Sequence, residues 1–206
     1  MKIQKIVSGQ WFYPVQDFVY DKAYFEKYVS YQPTKIGKNL TKFRTGLIKE
    51  YNHKPTEHLD VGVGSCDVVD CLECKGYDVN PYAVNLLAEK GQFVDLYSDE
   101  VEFCNTISFF DSFEHIKDLD KALNQISSQV VIISLPIYEG KEKDLPDWKH
   151  FRTDEHFHYF TDAGFRSFIN SRGFTILKVS KGETIIGRED ILTYVIKRVG
   201  KWTKQQ

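Results

Sequence analysis

The sequence lacks any apolar run long enough to cross a membrane, and its opening residues are too polar for a secretory signal. Methionine occurs once, cysteine four times, and the net charge is only −2. This charge balance gives little support to the hypothesis that the protein binds the phosphate backbone of a nucleic acid. These absences predict a cytoplasmic protein with no membrane partner.

Three of the four cysteines, Cys66, Cys71 and Cys74, follow the C-x4-C-x2-C spacing that some iron–sulfur proteins use. The segment between them has the pattern of a helix, whereas cluster ligands need a loop folded around the metal. Reduced thiols on a helix are therefore the favoured interpretation.

A length of 206 residues suits a single domain. Aromatic residues at helical spacing over 17–31 and apolar residues over 37–51 predict two helices, which make residues 1–52 an N-terminal helical segment. Its aromatic side chains fit a short lid over a ligand as well as they fit ordinary packing. Residues 53–200 then form the core of the domain.

Beyond residue 53, apolar stretches typical of strands alternate with helical patterns. This alternation predicts an α/β fold with a mostly parallel, seven-stranded sheet and helices on both faces. A long irregular segment, 136–160, interrupts the alternation, and loops of this length are often functional. The predicted strands are 57–61, 75–79, 93–94, 104–110, 130–135, 174–179 and 191–198, and the predicted helices are 66–74, 81–90, 116–126 and 161–172.

A glycine-rich turn follows the first predicted strand of the core, in the string Asp60-Val61-Gly62-Val63-Gly64. Glycine removes the Cβ where a ligand must approach the main chain closely. In an open α/β sheet, a ligand binds beyond the carboxyl ends of the strands. Gly62 and Gly64 therefore predict a ligand site above this strand, although the turn could also be purely structural.

The second predicted strand ends in an acid, Asp78, which lies 18 residues beyond Asp60. A carboxylate in that position can accept hydrogen bonds from the ribose hydroxyls of an adenosine. Asp67 stands where a dinucleotide-binding turn has its third glycine, and an acid there would repel a pyrophosphate. The pattern thus favours an adenosine ligand without phosphates and leaves a nicotinamide oxidoreductase as a weak alternative.

Four segments together resemble class I S-adenosylmethionine (SAM)-dependent methyltransferases, which have a Rossmann-like fold. Asp60-x-Gly62-x-Gly64 is similar to their motif I, although Cys66 stands where a third glycine is common, and Asn105 stands where the fourth strand often starts with Asp. The likeness covers about residues 40–198. The remaining matching strings are 76–81, 107–116 and 156–161 followed by 172–174.

The resemblance implies SAM as the cofactor and a role for each of seven residues. It implies Asp60 near the methionine amino group, Gly62 and Gly64 under the cofactor and Asp78 on the ribose. It also implies Asp95 and Leu96 at the adenine ring. Arg44, on the second N-terminal helix, resembles an arginine that binds the cofactor carboxylate in related quinone O-methyltransferases, and a plain surface role fits it too.

Acidic and histidine side chains follow the fourth strand and recur in the long loop. We predict His115 and His156 as the catalytic pair, one of them a general base, and assign no metal. Two alternatives stay open: the histidines only brace the loop, or a divalent ion binds a site like that of small-RNA 2′-O-methyltransferases. The residues of that metal alternative are Asp111, Glu114, His115 and His156, and the loop also holds His150 and His158.

The predicted function is methyl transfer from SAM to an O or N atom of an acceptor. The aromatic N-terminal segment and the long loop favour a closed pocket, and hence a small molecule over a nucleic acid. A non-catalytic module that binds SAM or a nucleotide is the alternative, followed by a metal-assisted RNA 2′-O-methyltransferase. Neither the acceptor nor the oligomeric state follows from the sequence.

Overall fold

The computed structural model describes residues 2–15, 18–98, 104–126 and 128–200. No helix in these ranges is both long and apolar enough to cross a membrane. The strands are β1 (Gln4–Val7), β2 (Gln10–Phe12), β3 (His58–Val61), β4 (Lys75–Tyr77), β5 (Thr106–Phe110), β6 (Val130–Pro136), β7 (His158–Phe160), β8 (Phe174–Ser180) and β9 (Ile191–Arg198). The α-helices are α1 (Lys22–Tyr31), α2 (Lys35–Tyr51), α3 (Asp67–Leu72), α4 (Pro81–Glu89), α5 (Leu119–Gln125), α6 (Asp162–Ser171) and α7 (Gly182–Ile186).

The main sheet has the strand order β4-β3-β5-β6-β9-β8. Strands β4, β3, β5 and β6 pair in parallel, whereas β9 runs antiparallel to both β6 and β8. The carboxyl ends of the parallel strands therefore meet at one edge of the sheet, where open α/β folds bind their ligands. The predicted α/β class, with a Rossmann-like and mostly parallel sheet, is confirmed.

Helices cover both faces of the sheet, as the alternating pattern predicts. On one face the fully buried side chains of Ile107 and Phe109 pack with residues of α5 and α6. On the other face Phe110 and Ile132 pack with residues of α2, α3 and α4. Burial of each such large apolar side chain contributes about 1.5–3 kcal/mol, so the two clusters fix the strand edge that carries the site.

The sheet has six strands, one fewer than predicted. At the place of the seventh, Phe93 forms a single parallel bridge with Gly76, and no strand extends beyond it. A turn starts two residues later, where the amide of Tyr97 donates to the Asp95 carboxylate at 2.9 Å. The segment is therefore too short to build a ladder of its own.

The N-terminal segment contains a hairpin that the sequence analysis does not predict. Strand β2 pairs antiparallel with β1 and with β7, which makes a small three-stranded sheet. The predicted helix over 17–31 begins only at Lys22, because the Asp21 carboxylate caps the amide of Tyr24 at 2.8 Å. Residues 16 and 17 of the predicted lid lie outside the described residues.

Several other boundaries differ from the predictions by a few residues. Helix α2 starts two residues early, where Thr34 accepts from the amide of Gly37, and α5 is shorter than the predicted 116–126. Helix α7 lies between β8 and β9, where the sequence analysis predicts no helix. The division of the chain at residue 52 stays a prediction.

Candidate active site

The glycine-rich turn lies between β3 and α3 and follows a left-handed path. Gly62 has φ 80°, Gly64 has φ 53° and Cys66, which precedes α3, has φ 66°. A Cβ on Gly62 would overlap the side chain of Ser112, so the fold itself requires this glycine. A Cβ on Gly64 would meet only the Tyr28 ring, at 3.8 Å. At Gly64 the space beside the main chain is therefore closed by the Tyr28 ring alone among the described residues, with no backbone in the way.

Asp78 connects the end of β4 to this turn. Its Oδ2 accepts from the amide of Gly64 at 3.1 Å, and its Oδ1 accepts from the amide of Asn80 at 2.8 Å. Burial raises the pKa of Asp78, while the backbone donors act in the opposite direction. Each carboxylate oxygen keeps a further lone pair, so the group can still accept hydrogen bonds from a diol.

Asp60 lies at the third position of β3 and is 3% exposed. The Ser108 hydroxyl donates to its carboxylate, and burial raises the pKa of Asp60 to about 7. His58 lies on the far side of that hydroxyl, with Nε2 2.9 Å from Ser108 Oγ and Nδ1 2.7 Å from Thr106 Oγ1. Burial lowers the pKa of His58 to about 3, so the ring is neutral and orients Ser108 toward Asp60. The sequence analysis did not predict this series of hydrogen-bonded side chains, because its members come from two strands.

Arg44 projects from α2 into a group of four charged side chains, of which Glu183 is fully buried and Arg44, Asp111 and Arg188 are partly buried. Arg44 donates to Glu183 through Nε at 2.9 Å and to Asp111 through Nη2 at 2.6 Å. Arg188 donates to the same two carboxylates. The two arginines hold the pKa of Asp111 well below its usual range despite its burial. Because Arg44 already serves two acids, its predicted contact with a cofactor carboxylate stays a prediction.

Sequence reasoning missed Glu183 and Arg188. They belong to α7 and the turn after it, about 140 residues from their partner Arg44, and no local pattern marks so distant a pairing. They lie between β8 and β9 in the chain, and their ion pairs connect this end of the sheet to Asp111. Asp111 has φ 57°, a value that is unfavourable for residues other than glycine. Its ion pairs with Arg44 and Arg188 help to hold this backbone conformation.

Asp95 and Leu96 follow the Phe93 bridge near β4. The Leu96 side chain is fully buried in the core, so only its backbone is left to meet a ligand. The Asp95 carboxylate accepts from the amide of Tyr97 within its own turn. The predicted role of both residues at an adenine ring stays a prediction.

The N-terminal segment lies across the glycine-rich turn. The amide group of Gln32 donates to the Ser65 carbonyl at 2.8 Å, and the Tyr28 ring covers Gly64. Tyr24 and Tyr28 join their hydroxyls at 3.1 Å, and the Tyr20 ring packs edge-on against Tyr24. This arrangement matches the geometry of a lid, and the function of the lid stays a prediction.

His115 and His156 come together at the same edge of the sheet. Their rings pack edge-to-face with centroids 4.6 Å apart, and the Tyr20 hydroxyl lies 3.5 Å from His115 Nδ1. Burial lowers the pKa of His115 to about 4 and the pKa of His156 still further, so both rings are neutral at pH 7. The structure thus brings the predicted pair together, and its catalytic role stays a prediction.

The other members of the acid–histidine set divide into two groups. Glu114 lies beside the histidine pair, is 2% exposed, and burial raises its pKa. Asp111 belongs instead to the ion pairs with the arginines. The remaining loop histidines bind backbone carbonyls: His150 that of Glu189 at 3.0 Å and His158 that of Lys117 at 3.1 Å.

Comparison with known proteins agrees with this geometry. A family model described as a methyltransferase domain matches residues 28–179, so the chain belongs to that family. No match to a curated protein is found. The predicted membership of the class I SAM-dependent methyltransferases is confirmed.

Solved structures with low sequence identity share the fold. A 1,6-didemethyltoxoflavin-N1-methyltransferase from Burkholderia thailandensis, with bound 1,6-didemethyltoxoflavin and S-adenosylhomocysteine, has a TM-score of 0.62 at 12% identity, covering 97% of this chain and 100% of its own. Magnesium protoporphyrin IX methyltransferase from Synechocystis PCC 6803, with bound S-adenosylhomocysteine, has 0.60 at 13%, covering 87% and 96%. A SAM-dependent methyltransferase from Clostridium acetobutylicum ATCC 824 has 0.60 at 15%, covering 85% and 99%.

A valine at Gly64 should nearly abolish the binding of S-adenosylhomocysteine in a chain that still folds, because the branched side chain would occupy the space between the turn and the Tyr28 ring that the ligand needs. Gly91 is the matched control, since it also has a left-handed φ, 66°, and open space around it. Calorimetry on Gly64→Val and Gly91→Val measures the affinities, and circular dichroism checks the fold. Normal affinity in folded Gly64→Val would remove the ligand from this turn.

Asp60→Asn should stabilise the ligand-free fold increasingly as the pH rises. Because the pKa of Asp60 is raised to about 7, the folded chain holds a proton that the unfolded chain releases, and stability from this group falls between about pH 4 and pH 7. The variant lacks that loss and should exceed the wild type by roughly 1–3 kcal/mol at pH 8. Urea unfolding at pH 5 and pH 8 measures the difference, with the exposed Asp147→Asn as the control. A difference that does not grow with pH would contradict the assignment.

Proposed function

We propose that the chain transfers the methyl group of SAM to an O or N atom of a small acceptor. One observation carries the proposal: the Asp78 carboxylate accepts a hydrogen bond from the amide of Gly64. A group that can bind a diol therefore lies beside a stretch of main chain that has no side chain of its own. Among nucleosides and their derivatives, a ribose without a phosphate on its 5′ side fits such a pair. SAM is a ligand of this chemistry, and two of the similar structures carry its product.

The remaining cofactor contacts follow from the same edge of the sheet. The proposal puts the adenine near Asp95 and the backbone of Leu96, and the methionine amino group toward Asp60. A positively charged amino group favours an ionised carboxylate, so binding should draw a proton from Asp60. Arg44 would contact the methionine carboxylate only if it loosened its hold on Glu183 or Asp111, and it is the least supported of the contacts.

A small acceptor agrees with the cover over this edge. The α1 tyrosines lie on one side and the loop that carries His156 on the other, which leaves limited room for a polymer. A net charge of −2 also disfavours a nucleic acid. One of the similar proteins, the 1,6-didemethyltoxoflavin-N1-methyltransferase from Burkholderia thailandensis, holds 1,6-didemethyltoxoflavin.

The chemistry proposed is in-line displacement, in which the chain contributes mainly by positioning the two reactants. His115 and His156 are proposed to face the acceptor atom. Each ring is neutral at pH 7 and so has a lone pair for the proton of a hydroxyl or amine, while burial, which lowers both pKa values, makes each ring a weaker base than a free imidazole.

His115→Ala and His156→Ala should each lower turnover about 10²-fold, the usual size of a lost proton-transfer group, while the affinity for S-adenosylhomocysteine stays close to that of the wild type. The assay incubates the chain with SAM and a panel of small phenols, alcohols and N-heterocycles, and detects S-adenosylhomocysteine by mass spectrometry. His53→Ala, at an exposed histidine on the α2–β3 connection, is the control.

Two outcomes would contradict the proposal. A folded wild-type chain that binds neither SAM nor S-adenosylhomocysteine would remove the cofactor. Normal turnover in both histidine variants would remove these side chains from catalysis, and methylation of an RNA oligonucleotide alone would replace the small acceptor by a nucleic acid.

A further inference from the structure

Glu114, His115 and His156 form a cluster whose possible donor atoms converge. One carboxylate oxygen of Glu114 and one ring nitrogen from each histidine all lie within 4.8 Å of one another. Donors that share a first-row metal ion stand about 3–4 Å apart, since metal–ligand bonds are about 2.0–2.2 Å long. Small rotations of the three side chains would therefore bring them onto one ion.

Glu114 is a buried acid with an incomplete set of hydrogen bonds. Its side chain is 2% exposed, and its Oε2 has no hydrogen-bond partner. An unpartnered carboxylate oxygen away from water costs free energy, which a cation would offset. The nearest acid, Asp111, is already neutralised by Arg44 and Arg188, so the ion pairs of the site leave Glu114 out.

His156 is held in the form that a metal needs. Its Nδ1 lies 3.0 Å from the His150 carbonyl, which only an N–H can satisfy, so Nε2 keeps its lone pair. A backbone carbonyl bound to the second ring nitrogen is the usual support of a metal-ligating histidine.

Access and charge around the cluster also suit an ion. His115 is partly exposed, which provides a route from solvent, and the Tyr20 hydroxyl lies 3.5 Å from its Nδ1. Arg152 is the cation that opposes a metal here, and it is paired with Glu155 at 3.1 Å.

We propose that Glu114, His115 and His156 bind a divalent first-row transition ion, such as Mn²⁺, Fe²⁺, Co²⁺ or Zn²⁺, with coordination positions left open. Two imidazoles and one carboxylate favour these ions over Mg²⁺ and Ca²⁺, which prefer oxygen ligands alone. The site differs from the four-residue set considered from the sequence, because Asp111 is bound elsewhere.

An open position on such an ion would take an oxygen or nitrogen of the acceptor. A bound cation would lower the pKa of a hydroxyl that coordinates it, so that the hydroxyl could release its proton to water. The ion would then take the place of a histidine base in activating the acceptor. This role rests on the proposed function, whereas the existence of the site does not.

The test is the binding of Co²⁺ to the full chain in the absence of SAM. Calorimetry measures the affinity, and the visible absorption of bound Co²⁺ reports on its ligands. The wild type should bind one equivalent, and Glu114→Gln, which keeps the side-chain size, and His156→Ala should each weaken binding at least about 10-fold. His53→Ala is the matched control and should bind as the wild type does. Mg²⁺ should compete poorly for the site.

Thermal unfolding monitored by circular dichroism confirms that each variant is folded. The proposal would be overturned if the folded wild type bound none of Co²⁺, Mn²⁺ and Zn²⁺. It would also be overturned if Glu114→Gln and His156→Ala both bound Co²⁺ with the affinity of the wild type. Because S-adenosylhomocysteine binding is measured separately, a chain that binds the cofactor but no metal loses only this inference.

Discussion

The hydrogen bond from the Gly64 amide to the Asp78 carboxylate is the contact on which the candidate site depends. It exists because β3 and β4 pair in parallel and end at the same edge, with Val61 opposite Tyr77. The glycine-rich turn and the acid that follows β4 therefore arrive together. The other proposed cofactor contacts all assume that the ligand binds at this junction.

Buried acids dominate the same edge, and each is compensated in a different way. Asp60 receives a hydroxyl donor and a raised pKa, while Asp111 and Glu183 are paired with two arginines. One oxygen of Asp111 and one of Glu114 have no hydrogen-bond partner, but Asp111 is paired with two arginines, whereas Glu114 has no ion pair among the described residues. That contrast separates the charges that hold the fold together from the one that points to a ligand.

The sequence predicted the parts of the fold that local chemistry controls. The glycines of the turn, the acid after β4 and the alternating strands and helices each leave a pattern within a few residues. The hairpin of β1 and β2 was missed although Ser8-Gly9 is a common turn pair, because strands of four and three residues show little alternation.

The ion pairs of Arg44 with Glu183 could not be foreseen, since they join residues about 140 positions apart. The convergence of His115 with His156 was predicted only through family resemblance. Their lowered pKa values were not foreseen, because burial is a property of the folded chain.

The most direct test of the account is a crystal structure of the chain with S-adenosylhomocysteine. The account predicts that both ribose hydroxyls bind the Asp78 carboxylate, that the ligand lies against the main chain at Gly64, and that the Tyr28 ring moves to make room. S-adenosylhomocysteine bound elsewhere, with the Gly64–Asp78 junction still covered by Tyr28, would contradict it.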